Sequence, residues 1–226
     1  MFLVFEGADG SGKTTATESV ADWLRDEFGQ DKIIITKEPF NPVIAECLFQ
    51  QLPRVVPGRE AIIDAKHRCW ITAALFIADR AAHISRVIEP ALKAGKMVVC
   101  DRFADSTLAY QFYGQTDGED DDSLSFITDA HRTIIGGGYI PDLSILFHCS
   151  PETAAQRLRD SGGQHVDVNL GFLGRVIAGY RKIFAGQLKH YITPSRQRFV
   201  IDTDKNGVQE TFELAQREIR TIIEEA

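Results

Sequence analysis

Short continuous apolar runs alternate along this chain with longer stretches in which apolar residues recur every three or four positions. Phe2-Leu3-Val4-Phe5, Lys32-Ile33-Ile34-Ile35-Thr36, Met97-Val98-Val99-Cys100, Leu143-Ser144-Ile145-Leu146-Phe147 and Phe199-Val200-Ile201 have the length and apolarity of strands buried on both faces. After the first run, Val20, Trp23, Leu24 and Phe28 recur at helical spacing, and Gly29 supplies a stop. A long helical pattern covers about residues 62 to 89, and another helix starts near Ser106. Ser150-Pro151-Glu152 opens a helix with a serine cap and a proline in the first turn. The final helix runs from about residue 208 to 225, and a mixed stretch with Pro42, Pro53 and Pro57 follows the second strand. Short strands alternating with helices predict an α/β fold of three layers, a five-stranded parallel sheet with helices on both faces. In such sheets ligands sit outside the carboxyl ends of the strands.

Between the first strand and the first helix lies FEGADGSGKTT, residues 5–15, in which residues 7–14 match G-x-x-x-x-G-K-(S/T). Glycines let several backbone N–H groups point into one concavity that suits a phosphate chain, as does the following helix N-terminus. Gly7, Ala8, Asp9, Gly10, Ser11, Gly12, Lys13, Thr14 and Thr15 are therefore the candidate ATP-binding loop of a P-loop NTPase fold. Lys13 would reach the β- and γ-phosphates, and the Thr14 hydroxyl would bind Mg²⁺. Two further strand ends carry chemistry. Asp101 stands where a second Mg²⁺ partner is expected, and the adjacent Arg102 can clamp a phosphate with two N–H donors. Lys37-Glu38-Pro39 ends the second strand. On the long helix, Phe76, Arg80, His83 and Val87 share one face. A planar base would stack on Phe76 and be hydrogen-bonded by Arg80; the same spacing also suits a core phenylalanine beside a surface arginine.

Composition narrows the partners. The 226 residues suit one α/β domain spanning 1–226, and 44% of them are hydrophobic, enough for a sizeable core. A net charge of -7 argues against nucleic acid or a membrane surface as partner and leaves small anionic ligands open. The four cysteines are far apart and read as buried thiols of a reducing compartment. With no signal peptide or long apolar span in view, the expected location is cytoplasmic. The acidic run from Asp117 to Asp122 has no common metal-ligand spacing and is read as a solvated loop. The six histidines are assigned no chemistry.

Taken in order, FEGADGSGKTT, TKEP, ALFIADRAAHISRVIEPAL and DRFADSTLAYQ resemble the thymidylate kinase family of P-loop nucleoside-monophosphate kinases. SILFHCSPETAAQRLR resembles that family's fourth strand and the helix leading to its lid. The resemblance implies transfer of a phosphoryl group from ATP to dTMP, with Mg²⁺, in dTTP biosynthesis, by a homodimer. It places a short lid at about residues 157–168. It implies that Phe76 stacks on thymine, Arg80 hydrogen-bonds the base, and Arg102 clamps the monophosphate. By the same resemblance Asp9 sits near the sugar 3′-OH and the metal. Thr107 contacts the base, and Tyr110 packs where a 2′-OH would fall. Gln111, Ser106, Glu38 and Pro39 border the pocket. The loop Asp204-Lys205-Asn206-Gly207 would lie beside adenine. Lys13, Arg102, Asp9, Arg157 and Arg159 form the implied catalytic set.

This chain also departs from the family. Lys37-Glu38-Pro39-Phe40-Asn41-Pro42 stands where many members read REPGGT, and Gly10 stands where one branch carries an arginine. The lid segment from Asp160 to Asp167 contains no arginine, which leaves Arg157, Arg159 or Arg175 to meet the transition-state charge. The other readings are a kinase for dUMP or dGMP, a deoxynucleoside kinase with Glu38 as base, and a non-catalytic nucleotide-binding module.

Overall fold

The computed structural model describes residues 1–51, 64–135, 138–162, 169–188 and 195–225. Five strands, β1 (Phe2–Glu6), β2 (Ile33–Lys37), β3 (Met97–Asp101), β4 (Leu143–His148) and β5 (Gln197–Asp202), form one parallel sheet in the order β2-β3-β1-β4-β5. The five apolar runs of the sequence are these strands, and the expected α/β architecture is the observed one. The described α-helices are α1 (Lys13–Phe28), α2 (Pro42–Gln51), α3 (Ala65–His83), α4 (Glu89–Lys93), α5 (Ala104–Thr107), α6 (Gly114–Thr116), α7 (Asp121–Ile135), α8 (Pro151–Gly162), α9 (Leu170–Phe184) and α10 (Val208–Glu225), and a 3-10 turn at Gln30–Lys32 precedes β2.

Side chains alternate across β1. Leu3 and Phe5 pack with Ala16, Val20 and Leu24 of α1 and Ala215, Ile219 and Ile222 of α10 on one face. Phe2 and Val4 face the other way, against Ile84, Ile88, Phe103 and Ala104. Glu6 follows Phe2 and Val4 in this alternation, so a carboxylate enters a layer otherwise filled by apolar groups. The connections run to one edge through β2 and β3 and to the other through β4 and β5, so the crossing direction changes at β1 and a crevice opens at its carboxyl end. Three bonds carry the ladder into the loops: Glu38 N–H to Asp101 O (3.0 Å), Arg102 N–H to Phe5 O (2.8 Å) and Thr203 N–H to His148 O (2.7 Å). The sheet itself therefore fixes the backbone of the loops around the crevice.

Several helices differ from the pattern-based expectation. The long helix starts at Ala65, where the Asp64 carboxylate accepts the His67 N–H at 3.0 Å. Its expected start at 62–63 lies outside the described residues. It continues past 89, through a π-helical turn at Ile84–Ile88, to Lys93. The helix expected near Ser106 begins at Ala104 and runs through a second π-helical turn, Leu108–Tyr113, to Thr116. Three helices were not anticipated. Pro42 opens α2 at the first position, where a missing N–H costs nothing. The acidic run is only partly loop: Asp121 and Asp122 form the first turn of α7, where negative charge is favourable. Lys66 of α3 holds Asp120 and Asp122 at 3.4 and 2.7 Å. The third, α9, carries Leu173, Val176, Ile177, Tyr180 and Ile183 into the core. Of the expected lid, residues 157–162 belong to α8 and residues 163–168 lie outside the described residues. Among the described residues no helix is long and apolar enough to cross a membrane.

Candidate active site

The P-loop lines a cavity of about 730 Å³, with Arg157, Leu158 and Ser161 of α8 on one side and Thr203, Asn206, Gly207 and Val208 on another. All nine candidate loop residues, Gly7 excepted, border it, and so does the 206–207 part of the loop expected beside adenine. The loop is braced from behind: Thr203 Oγ1 donates to Ser11 O at 3.0 Å, and Arg157 donates to Gly10 O (3.3 Å), Thr203 Oγ1 (3.0 Å) and Thr203 O (2.8 Å). Gly10 has φ +79, and a Cβ there would lie 2.3 Å from the Ala154 carbonyl oxygen. Helix α8 thus leaves no room for the arginine that one branch of the resembled family carries at this position. Arg159 is exposed, bonds Gln156 Oε1 at 3.4 Å, and does not line this cavity. Arg175 on α9 is held by Gly114 O (3.1 Å) and Asp117 (2.7 Å).

Lys13 is buried and ion-paired with Asp101. Burial, and then the Arg102 charge, lower its proton affinity, while Asp101 acts in the opposite direction. Thr14, Asp9 and Asp101 bring oxygen donors to the same place: Thr14 and Asp9 border the donor cavity, and a neighbouring cavity of about 460 Å³ is lined by Asp9, Lys13, Thr14, Glu38, Pro39, Asp101 and Arg102 among others. A hydroxyl and one or two carboxylates beside a phosphate site fit Mg²⁺, a hard cation that prefers oxygen donors.

Arg102 joins the two cavities. Its Nη1 donates to Gly7 O (2.8 Å), Tyr180 Oη (3.1 Å) and Ser106 Oγ (3.3 Å); its Nη2 donates to Asp9 Oδ1 (2.6 Å) and Tyr110 Oη (3.1 Å). The guanidinium lies 4.9 Å from the Tyr110 ring centre, and Tyr110 Oη also accepts the Asp9 N–H at 3.0 Å. Beneath it, Glu6 is fully buried and accepts the Phe103 N–H (2.9 Å) and the Ser106 hydroxyl (2.5 Å). Burial and then the Asp105 charge push the Glu6 carboxyl up to about 7, against the lowering effects of Ser106, Arg102 and Phe103 N–H. This has a measurable consequence. The folded protein holds the Glu6 proton more tightly than the unfolded chain, whose carboxyl sits near 4.5. Stability therefore falls as pH rises between these two values. The loss is of order 3 kcal/mol, at about 1.4 kcal/mol per tenfold change in proton affinity. Urea unfolding of wild type and Glu6→Gln at about pH 5 and about pH 8 is expected to show this fall in the wild type and not in the variant.

The base-side residues form a second buried network. Arg80 Nη2 donates to Glu38 Oε2 (2.6 Å), Phe103 O (2.9 Å) and Thr107 Oγ1 (3.0 Å), while Nε donates to Glu38 Oε2 (3.1 Å) and Nη1 to His131 Nε2 (2.8 Å). Glu38 Oε1 lies 3.2 Å from His83 Nδ1, and His83 Nε2 lies 2.7 Å from Thr36 Oγ1. Burial, and then the Arg80 charge, drive the His131 pKa well down, so the ring is a neutral acceptor for Arg80. Asp79 accepts the Phe40 and Asn41 N–H groups, each at 2.7 Å, and the Phe40 ring stacks on His83 with centres 4.9 Å apart. Helix α3 thereby shapes the segment that replaces the glycine pair of the resembled family.

The structure brings Glu38, Pro39, Arg102, Asp9 and Asp101 to one cavity, with Ser106, Thr107, Tyr110 and Arg80 directly behind them. Phe76 is half-buried and belongs to none of the three hydrophobic clusters, and neither it nor Gln111 lines the two cavities. Sequence reasoning missed Glu6, Asp79, His83, His131 and Tyr180. Glu6 alone left a signal, as a charged residue closing an apolar strand.

Known proteins resemble this chain in sequence and in fold. The family model described as thymidylate kinase matches residues 5–202. The thymidylate kinase of Desulfovibrio desulfuricans is 37% identical over 195 residues, covering 81% of this chain and 82% of that protein. That of Geotalea uraniireducens is 32% identical over 218 residues, covering 93% and 92%. Among solved structures, thymidylate kinase from Ehrlichia chaffeensis matches with a TM-score of 0.67 and 27% identity, covering 97% of this chain and 98% of that one. The model match spans the P-loop, the Arg102 segment and strands β2 to β5, and on that extent the chain belongs to the thymidylate kinase family.

Proposed function

We propose that this protein transfers the γ-phosphoryl group of ATP to dTMP, giving ADP and dTDP. The observation that carries this reading is the bond from Arg102 to Asp9, which sets a phosphate-clamping arginine against the P-loop. An acceptor phosphate on Arg102 then lies beside donor phosphates on Lys13 and the loop amides. An oxygen of the dTMP phosphate attacks the γ-phosphorus, and the bond to the ADP oxygen breaks. The attacking oxygen is already ionised, so positioning and charge neutralisation suffice and no protein base is required. Thr14, with Asp101 beside it, would hold Mg²⁺, which would supply charge neutralisation on the donor phosphates. Arg157, braced against Gly10 and Thr203, supports the donor side, which makes it a better candidate than the exposed Arg159. The family resemblance assigns Phe76, Arg80 and Thr107 to the base side, Arg80 acting through its bond to Thr107, and Tyr110 to the sugar side.

Glu38 bears on the nucleoside alternative. Both of its carboxylate oxygens are engaged, by Arg80 and by His83. A base tied to a buried guanidinium is poorly suited to deprotonating a 5′-hydroxyl, which favours a phosphate acceptor. The reading includes a single kinase domain with its lid near 157–168 and a homodimer, as the resemblance implies, and a cytoplasmic location. An ADP-release assay with ATP, Mg²⁺ and each monophosphate in turn tests it. Release with dTMP well above dUMP, dGMP and the ribose forms is expected. Preference for another base would overturn the substrate, and no release with any acceptor would overturn the kinase reading.

A further inference from the structure

The Arg102 backbone has φ +71, in the left-handed region that non-glycine residues seldom occupy. Such a conformation costs free energy and persists only where the surroundings hold it. Some of those surroundings are the P-loop groups and Tyr110 described above. Others come from the opposite side, and the mechanism does not use them.

Tyr180 is 1% exposed, and its ring belongs to the apolar cluster formed by Leu108, Leu146, Val176 and their neighbours. Phenylalanine would satisfy that packing. A buried hydroxyl costs free energy unless it is bonded. Here it lies 3.1 Å from Arg102 Nη1, 2.7 Å from Ser106 Oγ and 3.1 Å from Glu6 Oε2. It accepts from Arg102, and its one hydrogen serves Glu6 or Ser106. Burial holds the phenol well above its usual range, so it stays a hydroxyl. Ser106 repeats the pattern, accepting from Arg102 and donating to Glu6. Glu6 is thus the buried anchor on β1, and two hydroxyls transmit its hold to one edge of the guanidinium. Tyr180 also lies on α9, the first described helix after residues 163–168.

We propose that Tyr180 is a positioning residue for Arg102, by which helix α9 fixes the guanidinium that receives the acceptor phosphate, with Ser106 and Glu6 as its support. This rests on the reading of Arg102 as the dTMP phosphate clamp. The hydroxyl acts on the phosphate clamp; the ring also meets that of Tyr110 edge-on, with centres 6.3 Å apart, a contact that phenylalanine keeps.

Calorimetry with dTMP and with thymidine, which lacks the phosphate, tests this in wild type, Tyr180→Phe, Arg102→Ala and the double variant. Tyr180→Phe keeps the buried ring. It is expected to weaken dTMP binding about tenfold, the scale of one hydrogen bond to a charged group, and to leave thymidine binding within about twofold. In the Arg102→Ala background the same change is expected to do nothing further, because Tyr180 acts through Arg102. Ser106→Ala serves as a second route to the same edge and is expected to show the same selectivity. Equal losses for dTMP and thymidine, unchanged dTMP binding, or the same loss with and without Arg102 would each overturn the proposal. A wild type that binds thymidine as tightly as dTMP would instead sink the phosphate-clamp reading, and the proposal with it.

Discussion

In Lys13→Ala, turnover of dTMP is expected to fall about 10²- to 10³-fold, the scale for loss of one preorganised charge at a reacting phosphate. Lys13 opens α1 directly after the P-loop, and its side chain is 6% exposed at the edge of the donor cavity. Its ammonium rests on Asp101, and burial together with Arg102 weakens its hold on the proton. Arriving donor phosphates supply the negative charge that this partly desolvated cation lacks. The substitution also leaves the Asp101 carboxylate without its partner, so the variant's melting temperature is measured alongside its rate. Lys13→Met retains most of the aliphatic stem and is expected to recover the packing part of the stability loss, not the ion pair and not the activity. Turnover of dTMP within tenfold of wild type in a folded Lys13→Ala protein would falsify the assignment of the donor site.

Arg102→Lys is expected to raise KM for dTMP about 100-fold while changing KM for ATP by no more than about twofold. The estimate follows from losing one or two hydrogen bonds to a charged group at about 1.5–3 kcal/mol each. A lysine keeps the charge and loses the planar fork. The fork matters here because its two nitrogens reach in different directions, Nη1 to Gly7 and Tyr180 and Nη2 to Asp9 and Tyr110. One ammonium on a flexible stem cannot span both sets, and it stacks less well on the Tyr110 ring. Steady-state kinetics with each substrate varied separately distinguish the outcomes. A parallel rise in both KM values would mean that Arg102 organises the P-loop as a whole, and an unchanged KM for dTMP would remove it from the acceptor site.

The donor side was legible because its chemistry is contiguous. Residues 7–14 carry the loop, the strand before and the helix after confirm it, and the backbone amides need no distant partner. The acceptor side was legible only in fragments. Arg80 reads from the sequence as a free hydrogen-bond donor for a base. In the fold it is 1% exposed, and protein acceptors from the loop after β2, the start and end of α5 and α7 surround it. Glu38 is 42 residues away along the chain and His131 is 51 away, so no local spacing connects them. Helices α7 and α9 went unread for a related reason. An acidic start resembles a solvated loop until Lys66 is brought beside it, and α9 becomes recognisable as a core helix once it lies against the chain around Tyr113.

Local order along the chain determined the strand and helix alternation, the phosphate-binding loop and the placing of Asp101 and Arg102 at strand ends. These depend on backbone conformation and apolar periodicity, which neighbouring residues set among themselves. Only the tertiary structure decided what each charged side chain is for. A buried charge must find its partners wherever the fold supplies them. Packing made Glu6 an anchor beneath Arg102, Arg80 and Glu38 a closed pair, and Tyr180 a contact between α9 and the phosphate clamp. It also excluded an arginine at Gly10, by setting Ala154 of α8 against the loop.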